Sequence, residues 1–140
     1  MQPTPYLFFN GTCAEAMTTY AGLFGTEDSL EILTVASMPP DVRSQMPPLP
    51  DSSVMHSAVK IGDGWVFAAD DMGGTDAQPM AGASISLSFP TEAETRRVYD
   101  ALAEGGEARM PLEPAFFAPL FGTLTDRFGI RWMVMTDPKA

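Results

Sequence analysis

Thr12-Cys-Ala-Glu15 and Thr91-Glu-Ala-Glu94 carry one helix-start pattern twice, 79 residues apart. In this capping box the threonine hydroxyl accepts a hydrogen bond from the backbone N–H three residues on, and the glutamate carboxylate reaches back to the threonine N–H. The first box follows Tyr6–Phe9, which is typical of a buried strand, and the second follows residues 83–89, which alternate like a strand covered on one side. The pattern predicts two helices, each entered from a strand.

The repeat extends beyond the two boxes. Gly64 and Gly129 are 65 residues apart, and each precedes a run of apolar or small residues that predicts a closing strand. The pairs that recur at an offset of 79 are Thr12/Thr91, Glu15/Glu94, Tyr20/Tyr99 and Leu23/Leu102. Two copies of strand-helix-strand-strand-strand explain these offsets, although capping boxes are common enough that a chance coincidence stays the alternative.

A single domain spanning residues 1–140 accommodates both copies. We place module one at about 1–72, a glycine-rich linker at 73–82 and module two at about 83–140. Each module then holds one helix and four strands.

The chain is acidic, with 18 Asp and Glu residues against 8 Lys and Arg and a net charge of −10. Such a surface repels phosphate backbones and anionic headgroups, so neither nucleic acid nor a membrane is an expected partner. No apolar run approaches the roughly 20 residues of a membrane span, and no secretory signal is recognised. We therefore expect a cytoplasmic protein, in which Cys13 is a buried or inert thiol with no second cysteine to pair with.

Motifs spread over nearly the whole chain resemble the vicinal oxygen chelate superfamily, which includes glyoxalase I, extradiol dioxygenases and bleomycin-resistance proteins. They are most similar to its PhnB-like branch, often labelled 3-demethylubiquinone-9 3-methyltransferase. The motifs are Pro5-Tyr-Leu-Phe-Phe-Asn-Gly11, Ala16-Met-Thr-Thr-Tyr20, Leu23-Phe-Gly25, Val54-Met-His56, Lys60-Ile-Gly-Asp63, Gly105-Gly106, Met110-Pro-Leu-Glu113 and Phe121-Gly-Thr-Leu-Thr-Asp-Arg-Phe-Gly-Ile-Arg-Trp132.

The resemblance implies an α+β fold in which two βαβββ modules form a curved mixed sheet with a concave cavity. The sequence does not, however, support a methyltransferase activity. That activity needs a site for a methyl-donor nucleotide, and the sequence has no glycine-rich loop after a parallel-sheet strand to hold one.

In the metal-using relatives each module supplies one metal ligand from its first strand and one from its last. The resemblance places these positions at Pro5, Ala68, Ser84 and Met133. None of them is a His, Asp or Glu, the residues that hard or borderline divalent metals require, so no metal and no cofactor are expected. A different site, built from His56 with Asp70, Asp71 or Glu113, stays the alternative.

His56 is the chain's one histidine, and histidine is the side chain whose unperturbed pKa lies closest to neutrality. It lies in a strand-like run before Gly62-Asp63-Gly64, a strong hairpin signal. A three-residue hairpin loop places His56 opposite Asp70, as a catalytic base oriented by a carboxylate at the cavity rim. A two- or four-residue loop places it on the other face, and a packed structural histidine is the competing interpretation.

Six further residues are candidates for binding a ligand. Arg131 is suited to hold a carboxylate bidentately, or equally to pair with a surface acid. The serines line a strand face that is polar with or without a ligand, and the phenylalanines form either an aromatic lid or part of the core. The candidates are Ser84, Ser86, Arg131, Met133, Phe116 and Phe117.

The leading functional hypothesis is a metal-independent homodimer that binds an unidentified small molecule, for example one with a carboxylate, in an apolar cavity. The alternative is a lyase- or isomerase-type enzyme that uses His56 as base without a metal. A third hypothesis is a structural or interaction subunit that docks through Met38 to Pro50, where five prolines predict a loop.

Overall fold

The computed structural model describes residues 1–71 and 78–138, and the chain divides into two compact units, 1–77 and 78–140. Residues 73–77 of the predicted linker lie outside the described residues. The first unit holds β1 (Tyr6–Phe9), α1 (Cys13–Phe24), β2 (Glu31–Thr34), α2 (Pro40–Arg43), β3 (Val54–Ile61) and β4 (Gly64–Asp70). The second holds β5 (Ile85–Phe89), α3 (Glu92–Ala103), β6 (Glu107–Ala115), β7 (Ala118–Thr125) and β8 (Arg131–Thr136).

Each unit is a four-stranded mixed sheet, and the two sheets share one connectivity. The strand orders are β1-β4-β3-β2 and β5-β8-β7-β6. In both sheets the first strand runs parallel to the last, and the remaining pairs are antiparallel. The predicted α+β fold of two βαβββ modules is confirmed.

The two helices begin differently, although their sequences predict the same cap. Thr91 has the extended backbone that an N-cap needs (φ −129°, ψ 151°), and its Oγ1 accepts from the N–H of Glu94 at 3.2 Å. Thr12 has φ −107° and ψ 10° and forms no side-chain cap. The Asp70 carboxylate caps α1 instead, accepting from the Cys13 N–H at 3.1 Å, so the predicted cap by the Thr12 hydroxyl is wrong.

Each sheet has one face covered by its helix, which we call the helix face, and a second face, which we call the open face. α1 packs on β3 and β4, and α3 packs on β7 and β8. The helix faces carry the core, including Val59 and Ala68 in the first unit and Trp132 and Val134 in the second, all four 0 % exposed. In the first sheet the exposed large side chains Tyr6, Phe8, Leu33 and Trp65 lie on the open face, so a ligand surface is to be sought there.

Asp126 organises the turn between β7 and β8. Its carboxylate accepts hydrogen bonds from the N–H groups of Phe128 and Ile130 at 2.9 and 3.0 Å, and from the indole N–H of Trp132 at 2.8 Å. Gly129 has φ 89°, a conformation that favours glycine. The Asp-Arg-Phe-Gly-Ile-Arg-Trp motif is thus a structural corner built on a buried carboxylate.

The proline-rich segment 38–50 is mostly irregular, as predicted, but contains the single helical turn α2, whose Arg43 pairs with Asp51. Its docking role stays a prediction. Within the described residues, no helix is both long enough and apolar enough to cross a membrane.

Candidate functional site

His56 lies on the open face of the first sheet. The β3–β4 hairpin has a two-residue loop, because Ile61 pairs with Gly64, and the register therefore pairs Ser57 with Ala68. Ser57 contacts Cys13 of α1, so Ser57 points to the helix face and its neighbour His56 to the open face. His56 stands opposite Ala69 rather than Asp70.

The side chain of Asp70 lies on the helix face of the first sheet. The residue is 5 % exposed, and each carboxylate oxygen accepts one backbone hydrogen bond, Oδ1 from the N–H of Cys13 at 3.1 Å and Oδ2 from the N–H of Val54 at 2.9 Å. It thereby ties the start of α1 to the start of β3. The predicted His56/Asp70 pair does not form, because the two-residue loop puts the two side chains on opposite faces of the sheet.

Cys13 lies against the same helix face and is 0 % exposed. Burial raises the pKa of its thiol to about 11; the hydrogen bond with Ser57, at 3.4 Å, only partly offsets this, and the charge of Asp70 adds to it. A thiol in this state is almost fully protonated at neutral pH and is a poor nucleophile. Cys13, Ser57 and Asp70 therefore have a structural role rather than a catalytic one.

The imidazole of His56 is surrounded by aromatic rings. Tyr6 on β1 reaches across β4 and places its hydroxyl 3.0 Å from His56 Nδ1. The Phe67 ring stands edge-on to the imidazole at 5.2 Å, and the Tyr6 ring is 5.7 Å away. Burial, with a smaller contribution from Cys13, raises the pKa of Tyr6, so the phenol stays protonated at neutral pH.

Sequence reasoning missed this ring cluster. Tyr6–Phe9 was predicted as a buried strand, whereas Tyr6 and Phe8 are 42 % and 58 % exposed and alternate with the buried Leu7 and Phe9. Four large apolar residues in a row, three of them aromatic, hide an alternation that only burial reveals. Trp65 and Phe67 show the same spacing on β4, which was the available signal.

The open face of the second sheet carries the predicted polar and sulfur-containing residues. Ser86 pairs with Met133 in the parallel register, and Ser84 lies just before β5. The hydroxyl of Ser88 donates to Asp137 and is therefore occupied. Met133 is half-buried beside Thr123 of β7.

Arg131 is the cation of this face. Its side chain is half-buried, and Nε is fully enclosed yet has no hydrogen-bond partner among residues 1–71 and 78–138. Its backbone N–H donates to the sulfur of Met80 at 3.3 Å. Continuing the register of β5 and β8 by one residue places Ser84 next to Arg131.

Phe116 and Phe117 form the two-residue tip of the β6–β7 hairpin, since Ala115 pairs with Ala118. Phe116 is fully exposed, so it is not a core residue. Phe117 stacks edge-on between Phe116 at 5.2 Å and Phe121 at 5.0 Å. Phe121 holds Phe117 at the open face of the second sheet, while Phe116 stands in solvent.

The positions carried over from metal-using relatives need a correction in the first unit. The buried Leu7 and Phe9 match Leu87 and Phe89 at an offset of 80, and the buried Ala68 matches Val134 at an offset of 66. The β1/β5 offset exceeds the predicted 79 by one because the strand-helix junction is one residue longer in the first unit. The β4/β8 offset exceeds the predicted 65 by one because Gly64 corresponds to Ile130 and not to Gly129, the turn before β8 being longer than the one before β4.

Ala68 consequently faces α1 and cannot correspond to Met133, which faces the other way. The open-face equivalents of Ser84 and Met133 are Thr4 and Phe67, so Pro5 and Ala68 are each wrong by one residue. Among the residues that the structure describes, no cluster of three or more His, Cys, Asp or Glu side chains is suited to a metal ion.

Comparison with known proteins identifies relatives along the whole chain. Protein YjdN of Escherichia coli is 31% identical over 96% of this chain and 94% of its own. The structure of protein PA1353 from Pseudomonas aeruginosa is 37% identical with a TM-score of 0.87, covering 99% of both chains. A putative 3-demethylubiquinone-9 3-methyltransferase, the PhnB protein of Bacillus cereus, is 26% identical with a TM-score of 0.77, over 97% of this chain and 99% of its own.

A glyoxylase/bleomycin resistance protein/dioxygenase domain from Frankia shares the fold alone, at 14% identity and a TM-score of 0.59, over 98% of this chain and 97% of its own. The family model described as 3-demethylubiquinone-9 3-methyltransferase matches residues 1–135. The chain therefore belongs to this PhnB-like family and has the glyoxalase/bleomycin-resistance fold.

Proposed function

We propose that the protein is a metal-independent, cytoplasmic homodimer that binds a small carboxylate-bearing molecule, and that Arg131 holds the carboxylate. The observation that carries this proposal is the enclosed Nε of Arg131, which has no partner among the described residues. A buried donor left unsatisfied costs about 1–3 kcal/mol, and a ligand carboxylate that draws the half-buried guanidinium out of its enclosure recovers that cost. The guanidinium fork matches a carboxylate geometrically as well as electrostatically.

The surroundings of Arg131 support a small ligand rather than a protein surface. The register puts Ser84 beside it and Ser86 next to Met133, which supplies hydroxyl groups and a polarisable thioether on one face. Phe117, fixed by Phe121, adds an aromatic ring farther along the same face, since Phe121 pairs with Met135, four residues from Arg131. A few polar groups among apolar walls are typical of small-molecule sites.

The donor atoms at the corrected superfamily positions support metal independence. Thr4, Phe67, Ser84 and Met133 together offer two hydroxyl groups, a phenyl ring and a thioether. Zn²⁺, Ni²⁺, Mn²⁺ and Fe²⁺ are held in proteins mainly by imidazole, carboxylate and thiolate. The correction in the first unit changes two of the four residues and leaves this argument intact.

Calorimetric titration tests the carboxylate site with benzoate and the uncharged benzamide as a matched pair of probes. We expect benzoate to bind at least tenfold more tightly than benzamide, and Arg131→Met to abolish this difference. Arg96→Met, which removes an exposed cation from α3, is the control and retains it. Equal affinity of the two probes for the wild type contradicts the proposal.

Metal independence and the homodimer, the two other elements of the proposal, are tested by separate measurements. Titration with Zn²⁺, Ni²⁺, Mn²⁺ and Fe²⁺ is expected to reveal no stoichiometric site, and a site of about micromolar affinity or better overturns metal independence. Sedimentation velocity is expected to give the mass of a dimer, and a monomer at tens of micromolar protein overturns the homodimer.

The hydrogen bond between Tyr6 and His56 favours a second candidate function, a metal-independent lyase- or isomerase-type reaction with His56 as base. Tyr6 takes the orienting role that was predicted for Asp70, since its hydroxyl engages Nδ1 and leaves Nε2 for a substrate proton. Once a substrate is found, His56→Ala should lower kcat at least a hundredfold and Tyr6→Phe less. An unchanged rate in His56→Ala ends this proposal.

A further inference from the structure

The open face of the first sheet carries a patch of large apolar side chains that crosses all four strands. It consists of Tyr6 and Phe8 on β1, Trp65 and Phe67 on β4, His56 on β3 and Leu33 on β2, and we call it the aromatic patch. Tyr6, Phe8, Trp65 and Leu33 are 42 %, 58 %, 40 % and 55 % exposed. At these exposures the patch presents roughly 400 Å² of apolar surface, within the range that is often functional on a monomer.

The rings are fixed by one another. Tyr6 lies 5.2 Å from Phe8 and 6.3 Å from Phe67, and Phe67 lies 6.5 Å from Trp65. The hydrogen bond from Tyr6 to His56 closes the chain of contacts across β4. A ligand that stacks on this surface therefore meets rings that have already lost most of their rotational freedom, which lowers the entropic cost of binding.

The charges around the patch favour a neutral occupant. Glu31 pairs with Ala58 and therefore lies on the open face, where its negative charge offsets the positive charge of Lys60. The ammonium of Lys60 is itself held over the Trp65 ring at 5.7 Å from the centroid. The side chains of Phe8, Phe67, Trp65 and Leu33 carry no charge, and burial raises the pKa of the Tyr6 phenol, which keeps it protonated.

The size of the patch favours a small molecule over a protein. A stable protein interface takes about 800 Å² from each partner, roughly twice what the patch offers. One or two fused aromatic rings occupy part of this surface and do not need more area. His56 Nε2 is left for one hydrogen bond to the occupant, since Nδ1 is engaged by Tyr6.

We propose that the aromatic patch is a binding site for a neutral, planar aromatic group that stacks on its rings and hydrogen-bonds to His56. It is formed by residues of the first unit alone, so substitutions can test it without altering Arg131 or its neighbours. It assigns a recognition role to rings that the fold itself leaves uncovered.

Nuclear magnetic resonance of the tryptophan side chains tests the proposal with indole as probe. The chain has two tryptophans, and each indole N–H gives its own signal. Trp65 is in the patch, whereas Trp132 is 0 % exposed and bonded to Asp126. We expect indole to shift the Trp65 signal saturably and to leave the Trp132 signal in place.

Variants and alternative probes decide what the patch recognises. Phe8→Ala is expected to weaken indole binding at least threefold, and Met110→Ala, which truncates a similarly exposed side chain in β6, to leave it unchanged. Arg131→Met should also bind indole normally, which separates this site from the carboxylate site.

Three outcomes overturn the proposal. If cyclohexanol shifts the Trp65 signal as strongly as indole does, the patch recognises apolar molecules in general. If tetramethylammonium shifts it as strongly, the patch is a cation site. A Trp65 signal that moves with protein concentration in the absence of probe shows that a second copy of the chain covers the patch.

Discussion

Replacing Asp70 with asparagine tests the assignment of this buried carboxylate to the fold rather than to catalysis. Each of its oxygens accepts one backbone N–H, from Cys13 at 3.1 Å and from Val54 at 2.9 Å. Asparagine retains one acceptor oxygen and presents an NH₂ group to the other N–H. One of the two ties is therefore lost, and a buried donor is left without a partner.

The expected cost follows from those two effects. A hydrogen bond to a charged group contributes about 1.5–3 kcal/mol, and an unsatisfied buried N–H costs a similar amount. The negative charge at the N-terminus of α1 is also lost. We expect Asp70→Asn to lower the free energy of unfolding by about 3 kcal/mol, which corresponds to a fall in Tm of about 9 °C for a chain of this length.

Urea denaturation followed by circular dichroism measures the change, with Asp63→Asn as the matched control. Asp63 is exposed in the hairpin loop, and the same chemical change there should cost less than about 0.5 kcal/mol. If Asp70→Asn is as stable as Asp63→Asn, the two hydrogen bonds do not hold the first unit together and the structural assignment is wrong.

Three further predictions concern other buried groups. Burial raises the pKa of Cys13 to about 11, so the protonated thiol stabilises the fold fully below the unfolded thiol pKa of about 8.5. This stabilisation is lost as the pH rises to about 11. Over that interval, unfolding experiments should show the wild type losing about 3 kcal/mol of stability relative to Cys13→Ala. Gly122→Ala puts a Cβ 2.8 Å from the Tyr99 ring and 2.9 Å from a backbone oxygen, so it should lower Tm by several degrees, whereas Gly22→Ala in α1, with open space around it, should raise Tm slightly. Asp126→Asn should lower the free energy of unfolding by about 2–3 kcal/mol and red-shift the emission of Trp132, because the turn and the indole lose a shared acceptor; an unshifted spectrum contradicts that account.

Local patterns predicted much of the fold because their physical causes are local. Apolar periodicity and Gly25 with φ 67° defined α1, and the alternation of Ile85, Leu87 and Phe89 with serines defined β5. β6 was not located as a strand, since Pro111 and Pro114 argue against one. They are tolerated because β6 is an edge strand whose register shifts repeatedly.

The candidate site was predicted only in part. The open-face placement of Arg131 and Met133 follows from strict alternation along β8, whose intervening residues are buried. The unpartnered Nε of Arg131 could not be foreseen, because it depends on what encloses the guanidinium in three dimensions.

The sequence by itself determined the repeat, since strand alternation and helix periodicity recur wherever the residues recur. Only the tertiary structure decided how the two copies differ. The capping box at Thr12 was overridden because Asp70, 58 residues away, supplies a charged acceptor to the same helix end. One extra residue in the β1–α1 junction shifted the β1/β5 offset to 80, and the different β3–β4 and β7–β8 turns shifted the β4/β8 offset to 66. In a strand a shift of one residue exchanges the two faces.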